Sequence, residues 1–97
     1  MKLVDKYYNK IHKHTSKMTK KLFGKNVTEC MAMRFNLKTV IEKIINKPID
    51  EITNEDIIKN KIHYYYVKYK TVSKILEVLE TACTLKNFTI EEYENER

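Results

Sequence analysis

The sequence predicts one small, mainly helical domain, on three observations. One glycine and one proline in 97 residues leave almost nothing for the tight turns of hairpin-rich folds. Apolar residues recur three and four apart along most of the chain, the spacing of one helical face. Two capping boxes, Asn26 with Glu29 and Thr53 with Asp56, mark helix starts, because each side chain satisfies backbone N–H groups that a first turn leaves free. An all-β fold is excluded, and at most a short β-hairpin is expected. With 42% hydrophobic and 33% charged residues the chain can fill one core, and a chain this short cannot feed two.

The first element is expected over residues 1–24 as a basic amphipathic helix. Val4, Tyr8, Ile11, Thr15, Met18 and Leu22 alternate four and three apart, which makes one apolar stripe. Gly24 stops it, since glycine takes the left-handed conformation at a helix end without steric cost. Lys2, Lys6, Lys10, Lys13, Lys17, Lys20 and Lys21 fall opposite that stripe, within an arc of roughly 100°. Such a ridge is either a solvated face or a row of phosphate contacts, with Lys10, Lys13 and Lys17 at its middle.

Residues 26–90 are expected to form the core. The second helix starts from the Asn26 cap and gathers Cys30, Met33, Leu37, Val40, Ile41 and Ile44 on one wide face, while Met31 and Phe35 add a patch around the side. Lys47-Pro48 breaks it, because proline lacks the N–H a continuing helix needs. A third helix follows the Thr53 cap. Beyond it the spacing permits two outcomes. Ile58, Ile62, Tyr65, Tyr69, Val72, Leu76, Leu79 and Cys83 keep a heptad rhythm that would make 54–86 one long helix. His63-Tyr64-Tyr65-Tyr66-Val67 are aromatic and β-branched residues that favour extended backbone, and Lys59-Asn60-Lys61 suits a helix end, which favours a break. The remaining residues, 91–97, form an acidic tail.

The order of features from Lys47 to Leu85 resembles a winged helix-turn-helix DNA-binding domain. Asn46-Lys47-Pro48-Ile49 resembles the turn and short strand after that family's first helix, and Ile52 to Ile58 resembles its capped second helix. Tyr69-Lys70-Thr71-Val72-Ser73-Lys74-Ile75-Leu76-Glu77-Val78-Leu79-Glu80 is similar to the recognition helix. Cys83-Thr84-Leu85-Lys86 would be the strand entering the wing. The resemblance implies that Val72, Ile75, Leu76 and Leu79 pack inward, and that Lys68, Lys70, Thr71, Ser73 and Lys74 face duplex DNA near the helix start. It also implies a homodimer that reads two half-sites.

Charge points the same way. The net charge is +6, and residues 1–47 hold twelve basic and three acidic side chains against seven and ten in residues 48–97. The chain is electrically bipolar, and its basic half suits a polyanion.

No catalytic residue, metal or small-molecule cofactor is expected. The glycine shortage excludes Gly-rich phosphate loops and nucleophile elbows. His12 and His14 diverge by about 200° on a helix and His63 stands apart, so no zinc set forms. Cys30 and Cys83 sit on apolar stripes, where cysteine acts as a small hydrophobe. No secretory signal is read at the start, because charge at Lys2 and Asp5 precedes any apolar run. No apolar stretch approaches the length of a membrane span. A cytoplasmic protein is expected.

Two functions fit. One is a sequence-specific DNA-binding homodimer, a transcriptional regulator or DNA-processing accessory factor of a mobile element, plasmid or virus. The other is a non-catalytic helical interaction module that pairs in a bundle with a partner protein.

Overall fold

A computed structural model describes the backbone from Lys2 to Asn95 and the side chains from Asp5 to Asn87. Four helices follow in order: α1 (Lys2–Phe23), α2 (Val27–Ile45), α3 (Asn54–Asn60) and α4 (His63–Asn95), with a short 3-10 turn at Ile49–Glu51. Among the described residues there is no strand.

Each helix end has a local cause. Gly24, at φ +65°, lets its N–H reach the Lys20 carbonyl at 2.9 Å and that of Lys25 reach Thr19 at 3.4 Å, which satisfies carbonyls α1 leaves open. Asn26 and Glu29 form the expected capping box, with Asn26 Oδ1 accepting from the Glu29 N–H at 2.8 Å and Glu29 Oε1 accepting from the Asn26 N–H at 3.1 Å. Asn46 ends α2 in the left-handed region at φ 62°. Glu42 then accepts from the Ile49 N–H at 2.7 Å and ties the 3-10 turn to α2. The second box is also present, between Thr53 and Asp56. Lys47 reaches Asp56 at 3.0 Å, and the Thr53 N–H together with Lys47 holds that carboxyl below the usual range.

The break expected near Lys59–Lys61 is there. Lys61 takes φ 56°, and two residues separate α3 from α4, so 54–86 is not one helix. The segment His63–Val67, expected to be extended, is helical instead. Tyr66 and Tyr69 fall three apart and close on a cluster of Ile41, Ile52, Ile57 and Ile62, and that burial overrides local preference. The expected strand at Ile49 is the 3-10 turn. Residues 83–86, expected to enter a wing, continue α4, and the stretch from Lys70 to Ala82 is an interior part of that 33-residue helix. The α4 backbone extends through Asn95, and the side chains of the acidic tail lie outside the described residues, as does that of Val4.

α4 is the spine. A second cluster of Cys30, Leu37, Val72 and Leu76 joins α2 to its middle, and Tyr69 touches both clusters. Of the inward set the sequence indicated, Val72, Leu76 and Leu79 are buried and Ile75 is half-buried. α1 lies antiparallel along α4. Asp5 pairs with Lys86 at 3.2 Å, and the Lys86 ammonium sits 4.5 Å from the Tyr8 ring centre, while Leu22 and Phe23 reach His63 and Val67. The buried centre of α1 is Thr15 and Thr19. The apolar face expected on α2 is only partly covered, with Val40 and Ile44 exposed.

The result is a slab with extents of 55 × 30 × 18 Å and a radius of gyration of 16.8 Å. A compact chain of this length has a radius near 13 Å.

Candidate nucleic-acid interface

The lysine ridge follows from how α1 is seated. With Thr15 and Thr19 turned to the protein, the opposite side presents Lys6, Lys10, Lys13, Lys17, Lys20 and Lys21, all exposed. The row is about 22 Å long. Asp5, the one acidic residue of α1, is engaged with Lys86 off that face. Among the described residues no carboxylate pairs with any lysine of the ridge. Six ammonium groups at helical spacing form a field that a row of phosphates neutralises.

The α4 residues are arranged differently. Lys68 and Lys70 lie back along their helix, each with its ammonium 5.6 Å from a ring centre, that of Tyr64 and Tyr66 respectively. The Tyr64 and Tyr66 rings thus hold cations. Thr71 donates its hydroxyl to the Val67 carbonyl at 2.8 Å. Lys74 is exposed. Ser73, expected to face outward, is 9% exposed and its Oγ has no hydrogen-bond partner. It lies against Arg34 and Tyr69, because α2 occupies that side of α4. So Lys10, Lys13 and Lys17 share one ridge, and Lys68, Lys70, Thr71 and Lys74 do not join it.

Two features were missed in the sequence. Arg34 makes a two-pronged bond to Glu80, at 2.7 and 3.0 Å, across α2 and α4. A shallow apolar groove also runs between α1 and α4, past Leu22, Val67, Met18, Ile75, Val78 and Leu85. A second stripe at 64, 67, 71, 74, 78, 81 and 85 is legible in the sequence at heptad spacing, beside the stripe that packs on α2.

Among the described residues no three His, Cys, Asp or Glu side chains are grouped to hold a metal ion. Both cysteines are free. Burial pushes the Cys30 thiol up, and a side-chain hydrogen bond to Cys83 raises the Tyr8 hydroxyl. No described helix is long and apolar enough to cross a membrane. No family model, curated protein or solved structure matches the chain.

Proposed function

We propose that this chain is a DNA-binding protein of the regulatory or accessory kind, which grips duplex phosphates with the lysine ridge of α1 and acts as a homodimer. The observation that carries the reading is the ridge itself: six exposed lysines on one helix face with no acidic neighbour on it. A row about 22 Å long is enough to reach several phosphates along a duplex backbone. The two-residue break between α3 and α4 supports the helix-turn-helix part of the resemblance. With Ser73 buried and Lys68 and Lys70 laid over tyrosine rings, the grip rests on the α1 ridge.

The test is anisotropy of a labelled random duplex over a salt series. Binding at low salt that falls steeply with added salt is expected. No binding at low salt overturns the reading. The second function, a helical module for a protein partner, is favoured by the exposed apolar groove.

A further inference from the structure

The groove between α1 and α4 is open along its length. Tyr64 is 71% exposed, Val67 61%, Val78 51% and Leu85 59%, and Leu22, Met18 and Ile11 line its α1 side. Domains ordinarily bury apolar faces between two packed layers, and this face has only its own.

The α4 stripe is self-complementary. About the point between Lys74 and Ile75, Tyr64 falls opposite Leu85 and Thr71 opposite Val78, while Val67 comes one residue from Thr81. A second α4 running antiparallel, related by a two-fold axis at that point, sets large side chains against large ones at both ends. Charge selects the same direction. Residues 63–74 carry Lys68, Lys70 and Lys74 and no acid, while residues 75–86 carry the exposed Glu77, with Glu80 held by Arg34 and Lys86 by Asp5. Antiparallel pairing lays the basic half of one helix on the acidic half of the other, with Lys74 of each copy within one turn of Glu77 of the other. Parallel pairing would stack like on like.

We infer that the occupant of this groove is a second copy of the chain, joined through an antiparallel α4–α4 seam flanked by both α1 helices. The inference deepens the homodimer of the reading above. The seam takes Thr71 and Lys74, and it leaves the DNA surface to two α1 ridges.

The experiment measures mass in solution without DNA. The wild-type chain should sediment at twice 11.7 kDa in the micromolar range. Val67→Glu with Val78→Glu changes two exposed side chains, so helicity should persist while the dimer dissociation constant rises at least about thirtyfold. Oxidation should crosslink a mixture of Tyr64→Cys and Leu85→Cys chains to each other, and should not crosslink Tyr64→Cys chains among themselves. A monomeric wild type, a dimer that survives the double glutamate variant, or self-crosslinking at position 64 would each overturn the seam. A dimer that binds no duplex at low salt leaves the seam standing and removes only the DNA reading.

Discussion

Arg34 and Glu80 meet as a fork, with both terminal guanidinium nitrogens of Arg34 donating to the two carboxylate oxygens of Glu80, at 2.7 and 3.0 Å. The hydrogen bond to Arg34 holds the Glu80 carboxyl below its ordinary value, and the same contact raises Arg34. The Glu80 side chain is 44% exposed, so solvent screens the pair and its worth is about 0.5–1 kcal/mol. Because the folded carboxyl is depressed, that contribution is present above the unfolded carboxylate range and is lost as pH falls through the folded value. Glu80→Gln should therefore cost about 0.5–1 kcal/mol at neutral pH and nothing in strong acid. Urea denaturation at several pH values reads the difference directly.

Ser73 yields a prediction of the opposite sign. Its Oγ is buried and unpartnered, and a buried polar group without a hydrogen bond costs about 1–3 kcal/mol. Ser73→Ala removes the group and leaves the methyl-sized volume filled. Thermal melting should show stability unchanged or raised by about 1 kcal/mol, with DNA affinity unaltered. A loss of affinity at constant stability would return Ser73 to the reading surface.

The ridge is testable by its salt dependence. Lys10, Lys13 and Lys17 replaced together by Gln should weaken every duplex alike and flatten the slope of log affinity against log salt by about 0.9 for each phosphate no longer neutralised. The substitutions touch only exposed side chains, so melting should not move. An unchanged slope would make the ridge a solvated face and nothing more.

Lys61 sits at φ 56° with its N–H bonded to the Ile58 carbonyl at 3.2 Å. A side chain in that left-handed region carries strain of about 1 kcal/mol or more, and glycine carries none. Lys61→Gly should raise stability by about 0.5–1 kcal/mol after its larger unfolded-state entropy is offset. Lys61→Val, whose branched side chain crowds the same backbone, should lower it. Chemical denaturation of both variants decides the point.

How much was legible divides along a physical line. The caps at Asn26 and Thr53, the stop at Gly24 and the break after Asn60 are decided within a few residues, and local chemistry is visible in sequence. The inward turn of Val72, Leu76 and Leu79 follows from spacing alone. By contrast His63–Val67 is helical because Tyr66 and Tyr69 close on isoleucines from α2 and α3, partners that no local window contains. Ser73 was misplaced for the same reason. Its neighbours in sequence say nothing of α2 lying over it, and Arg34 meets Glu80 from the far side of the core. The ridge was legible as a row of lysines, and whether it faces solvent depended on where α1 is seated.

The antiparallel seating of α1 has a kinetic consequence. Asp5 and Lys86 come from opposite ends of the chain, whereas the isoleucine cluster joins residues 41 to 62, a far shorter loop. Closing the long loop has the larger entropic cost, so the local isoleucine cluster should organise first and α1 should dock last. Substitutions at Thr15 and Thr19 would then speed unfolding and leave the refolding rate nearly untouched, and the most lysine-rich helix would be the last to take its place.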